Sequence, residues 1–174
     1  MPIIERMNLR YPGKGKPWIA SIRCLNLSRP VGPGQVNDFG DVLLVQAFFD
    51  WILREDGPFA NGAIHSGIKP AKVTGFFDED THKMIIHYQK GGDYGIDVTI
   101  GADGVVHPAS LSGRAMRFDQ KQMTVVRLNQ DARWGSDKYG HDHVAAILNR
   151  CRLLNALVQH TTLGQQSIIR LPST

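Results

Sequence analysis

The chain has 174 residues, 42% hydrophobic and 21% charged, with a formal net charge of +4. Those values belong to a soluble globular protein long enough to bury a real core, and no apolar run approaches the roughly 20 residues that a membrane span requires. The positive excess sits early, in Arg6, Arg10, Lys14, Lys16, Arg23 and Arg29. It is mild and has no aromatic residues interleaved with it, so neither a membrane nor nucleic acid is an expected partner. The first residues, MPIIERMNLRYPGKGK, lack the apolar stretch and small-residue cleavage site of a signal peptide. A cytoplasmic location is therefore expected, or delivery to the periplasm by a non-classical route. Two cysteines, Cys24 and Cys151, are too few for a disulfide framework or a metal knuckle and read as buried thiols.

In chain order, residues 1–17 are rich in Pro, Gly and Lys without a sustained period, which predicts an irregular arm. Trp18 to Leu27 alternates as a strand, with Ala20, Ile22 and Cys24 on one side and Ser21 and Arg23 on the other. Residues 29–40 are dense in Pro and Gly and read as turns. Asn37 to Leu53 then predicts a helix capped by Asp41. Val42, Val45, Phe49 and Ile52 recur at helical spacing, and Leu44, Phe48 and Trp51 form a second stripe beside them. An apolar arc that wide is expected to be covered on two sides.

After a loop to Thr74, Asp78 reads as the N-cap of a second helix, with Glu79 and Asp80 in its first turn and Thr81, Met84, Ile85 and Tyr88 on one face. Gly91 and Gly92 end it. A long connection runs to Pro108, and Ser110 reads as the cap of a helix through Ser112, Ala115 and Met116. Gln122 to Asn129 carries Thr and Val in a run that favours a strand, which would pair with Trp18 to Leu27 as a ribbon. His143 to His160 reads as a final helix, and its Leu148 to Leu157 segment is expected to cover Leu44, Phe48 and Trp51. No internal repeat is evident.

Three pieces in order carry a family resemblance: Asn37 to Leu53 with Asp41-Val42 and Val45-Gln46; Gly75 to Gln89 with Phe77-Asp78, Thr81, Ile85 and Tyr88; and Asp103-Gly104 followed by His107-Pro108. Together they resemble the peptidoglycan-binding-like domain, a small three-helix module appended to many cell-wall hydrolases. The resemblance implies a three-helix bundle over residues 31–118; with an arm and strand over residues 1–30 and a strand and helix over residues 119–174 packed on it, the expected fold is mainly α with an added small β ribbon and a C-terminal helix. It also implies a ligand groove at the start of the second helix and the loops beside it, with Asp78, Thr81, Tyr88, Asp103 and His107 nearest a glycan or stem peptide. Gln46 and Gln89 read as buried amides bonded to loop backbone.

Chemistry beyond binding finds little support. His141-Asp142-His143 is a tight cluster, but a third metal ligand would have to come from His107 or His160, so no metal or other cofactor is expected. Asp93, Asp97 and Asp103 are spaced too widely for a calcium loop. Cys24 lies mid-strand, where nothing holds a thiolate, and the three glutamates give a glycosidase little to draw on. The expectation is a non-catalytic module recognising bacterial peptidoglycan. The alternative is an interaction or assembly protein of a phage or bacterial secretion apparatus, which would use Leu44, Phe48 and Trp51 as a partner surface were they exposed.

Overall fold

A computed structural model describes residues 1–11, 18–53, 72–90, 101–109, 124–138 and 142–158. Among these the protein is mainly helical with one small antiparallel sheet. The elements are β1 (Ile3–Tyr11), β2 (Trp18–Asn26), α1 (Phe39–Leu53), α2 (Glu79–Lys90), α3 (Thr124–Lys138), α4 (His143–Arg150) and a last helix, α5, at 152–158. No helix among the described residues is long and apolar enough to cross a membrane.

α1 is the axis of the core. Gly40 through Phe49, Trp51 and Ile52 are all buried, so this helix has no solvent face for most of its length. A helix that is apolar all round belongs inside a protein, and the double stripe in its sequence has that meaning. Leu44 and Phe48 are completely buried and Trp51 is 7% exposed, so no partner surface exists there. The covering element differs in part from the expected one: the Trp51 indole N–H donates to the Ala132 carbonyl of α3 at 3.4 Å. α4 packs on α1 beside it.

The cap of α1 is Asp38, whose carbonyl accepts from Val42 N at 2.9 Å and whose carboxylate accepts from Gly40 N at 3.2 Å. Asp41, read as the cap from sequence, lies inside the helix and points back at the preceding turn. Its two oxygens accept from Ser28 N, Ser28 Oγ and Arg29 N at 2.7–3.0 Å. Two carboxylates three residues apart can each serve a helix start, and the turn at Ser28 and Arg29 claims the second.

Two strand assignments change. Residues 3–11 form β1 instead of an irregular arm, paired with β2 from Ile3↔Asn26 to Tyr11↔Trp18. The register pairs Met7 with Ile22, Leu9 with Ala20 and Tyr11 with Trp18. Gln122 to Asn129 contributes no ribbon strand, because α3 begins at Thr124. Residues Thr124 to Ala132 are buried in an unbroken run, and their polar members find partners that only a helix provides. Arg127 Nε meets Asp131 Oδ1 at 2.8 Å across one turn. The Asn129 amide pairs with both backbone groups of Leu25 on β2, accepting at 3.0 Å and donating at 2.8 Å.

The final helix is also two. Cys151, with φ −109° and ψ 87°, closes α4 and separates it from α5. Asp142 caps α4 by accepting from Val144 N at 2.9 Å. The helix expected from Ser110 through Met116 lies outside the described residues.

Candidate functional site

The loops that flank α2 are built by one device used twice. Gln46, fully buried on α1, accepts through Oε1 from Thr74 N at 2.9 Å and Gly75 N at 2.8 Å. Its Nε2 donates to Phe76 O at 3.0 Å and Thr81 Oγ1 at 2.9 Å. Gln89, buried on α2, accepts through Oε1 from Gly104 N at 2.8 Å and donates to Val105 O at 3.0 Å and Thr124 Oγ1 at 2.9 Å. Each amide stands in for a strand neighbour, satisfying loop backbone that would otherwise be buried unpaired. Both turns need glycine: Gly75 has φ +79° and Gly104 φ +74°. A side chain on Gly75 would also strike the Phe39 ring. A bridge between Val31 and Val106, with bonds of 3.0 and 2.8 Å, ties the second turn to the loop ahead of α1.

These ties bring the start of α2 against the Asp103-Gly104 turn. His82 Nε2 would lie 3.2 Å from a Cβ placed on Gly104, and the His82 ring sits 6.1 Å from that of Phe77. Asp103 Oδ1 accepts from Val105 N at 3.0 Å, and Oδ2 pairs with His107 Nε2 at 3.0 Å. About a third of each side chain in that pair faces solvent. Asp78 caps α2, accepting from Thr81 N at 2.8 Å and Thr81 Oγ1 at 2.5 Å, and is itself exposed.

Of the five residues expected nearest a ligand, three lie on this surface and two do not. Asp78, Asp103 and His107 are reachable. Thr81 is fully buried between Asp78 and Gln46. Tyr88 is 1% exposed, with its hydroxyl donating to Asp131 Oδ2 at 2.5 Å and its ring edge-on to Phe49. Both are framework for the loops, and their polar atoms are spent inside the protein. Phe77 and His82, both partly exposed, lie at the start of α2 beside the Asp103-Gly104 turn. Their signal was present in the sequence: a position before the cap and one four residues after it bracket the first turn of α2.

The Thr81 hydroxyl, followed by the backbone hydrogen bond from Thr81, holds the Asp78 carboxyl below its ordinary range. It is therefore ionised at neutral pH, an acceptor and not a proton donor. A folded-state pKa lowered in this way adds stability above the unfolded value, and that stability is lost as pH falls through the folded one. Asp78→Ala is expected to cost about 1 kcal/mol at pH 7. The gap between wild type and variant should close below pH ~4, measured by urea unfolding across the acid range.

The cysteines behave as packing groups. Cys24 is completely buried, and burial pushes the Cys151 thiol up, away from the thiolate form that nucleophilic chemistry needs. Among the described residues no three acidic, histidine or cysteine side chains are grouped as a metal site. Asp142 is occupied as a cap and with Arg23 at 3.5 Å, while His143 is buried 3.4 Å from Asn129 Oδ1. Compared with protein-family models, curated proteins and solved structures, the chain gives no match.

Proposed function

We propose that the chain is a non-catalytic binding module for bacterial cell-wall peptidoglycan, whose glycan or stem peptide lies against Phe77, Asp78, His82, Asp103 and His107. The reading rests on the two glutamine-tied turns, which set an aromatic edge beside fixed polar groups on one surface. A sugar or short peptide needs that combination: apolar contact for its ring or methyl face, and acceptors and donors held in place before binding. The ionised Asp78 offers a fixed acceptor to a ligand hydroxyl or amide. The ordered resemblance of the surrounding pieces to the three-helix wall-binding module points the same way.

Co-sedimentation with purified insoluble peptidoglycan tests it. The protein is expected to pellet with the polymer, and His82→Ala or Asp103→Asn to weaken the association about tenfold, the loss of one good contact. Pelleting no greater than that of an inert globular protein of similar size and charge would remove this reading.

A second reading, an assembly protein of a phage particle or bacterial secretion apparatus, draws on the β1–β2 ribbon. Its strands are nine residues long and, among the described residues, no third strand joins them. Open strand edges accept further strands, as β-augmentation does. That reading requires a light-scattering mass well above the 19.3 kDa of one chain.

A further inference from the structure

The joint between α4 and α5 shapes the surface at the C-terminal end of α1. On an unbroken helix, residues 150–153 would spread over about 300° of the circumference, at about 100° each. The break at Cys151 instead brings Arg150, Cys151, Arg152 and Leu153 together in the wall of one half-open cleft of about 250 Å³. The joint is fixed, not frayed: Cys151 N donates to Ile147 O at 3.0 Å, and Cys151 O accepts from Asn155 N at 2.9 Å.

The cleft has a charged side and an apolar side. Arg150 is tied to Asp50 of α1, and both line the cleft. Arg152 is exposed and has no acidic partner among the described residues, so its guanidinium is open to an anion from solvent. Beside it Leu153 is 51% exposed, one of the few large apolar side chains so open, while Ala47 and Ile147 supply buried apolar wall. A guanidinium fork matches a carboxylate in shape and in charge. A cleft of about 250 Å³ admits a short acid.

We propose that this cleft is a binding site for a carboxylate carrying a short apolar body, held by Arg152 and by Leu153, Ala47 and Ile147 along its wall. The chemistry is shared by a free short-chain acid and by the C-terminal residue of a peptide. The site lies apart from the Asp103 and His107 face and stands whether or not that face binds cell wall.

Cys151 supplies the readout. It is half-buried in the cleft while Cys24 is completely buried, so iodoacetamide at mildly alkaline pH alkylates Cys151 first, as peptide mapping by mass will assign. A fragment making one charge-assisted pair binds with a dissociation constant on the order of 1 mM, so hexanoate at about 10 mM is expected to slow alkylation about tenfold. Hexanol and hexylammonium should slow it less than about twofold. Arg152→Gln, at an exposed position, should keep the melting temperature and lose the protection. Protection by N-acetyl-alanyl-alanine as well as hexanoate assigns a peptide terminus, and protection by hexanoate alone a free acid. Equal protection by hexanol, or none from either acid, would overturn the site.

Discussion

Asp131→Ala is expected to cost about 3–5 kcal/mol, the penalty for leaving a buried guanidinium without its carboxylate. Arg127 and Asp131 are each 3% exposed in their side chains and meet at 2.8 Å. Burial works against the Arg127 charge, but the Asp131 carboxylate and the Tyr88 hydroxyl outweigh it and hold the guanidinium charged. Against a total stability of about 5–15 kcal/mol this is a large share, and for a chain of this length it lowers the melting temperature by about 6–20 °C. Tyr88→Phe keeps the ring against Phe49 and removes only the donor at 2.5 Å, so about 1–2 kcal/mol is expected. Arg127→Met combined with Asp131→Leu removes the charges together with their desolvation cost and should recover to within about 2 kcal/mol of wild type. Urea unfolding of the four proteins measures this. A cost under about 1 kcal/mol for Asp131→Ala would mean that α3 does not bury the pair.

The same stretch shows what the sequence could and could not convey. α1 was legible because burial on every side leaves an unmistakable apolar record in Val42 to Ile52, and α2 because Asp78, its acidic first turn and its apolar face agree with one another. At α3 the expectation fails because Thr124, Val125 and Val126 favour a strand locally and tertiary packing overrides that preference. The correcting signal was the Arg127 to Asp131 spacing, which pairs only on a helix. β1 is hidden because Pro12, Gly13, Gly15 and Pro17 colour the composition of the whole arm, although Arg6, Asn8 and Arg10 already alternate with Met7, Leu9 and Tyr11. At the candidate site, charge was easier to place than accessibility. Asp78, Asp103 and His107 reach solvent, whereas Thr81 and Tyr88 have their polar atoms turned inward, and nothing in residue type alone separates the two cases.

Gln46→Ala carries the second large effect, about 3–5 kcal/mol, because one buried amide satisfies two loop N–H groups and reaches a carbonyl and a hydroxyl besides. Each group orphaned in the interior costs about 1–3 kcal/mol, and removing the side chain adds a cavity. Gln46→Glu separates the two halves of the role. Its carboxylate still accepts from Thr74 and Gly75 but presents an oxygen, not a donor, to Phe76 O. Burial then raises the folded pKa of the new carboxyl above its unfolded value, so this variant should gain stability as pH falls through that raised value, when the acid regains a donor. Hydrogen exchange locates the effect: in Gln46→Ala the Gly75 amide should lose protection while the Gly104 amide, held by Gln89 at 2.8 Å, keeps it. Loss at both glycines alike would mean that the turns are held by the docking of α2 as a whole. Protection lost at one turn only would establish that each turn depends on its own glutamine, and that Gln46 and Gln89 separately position Phe77 and Asp103.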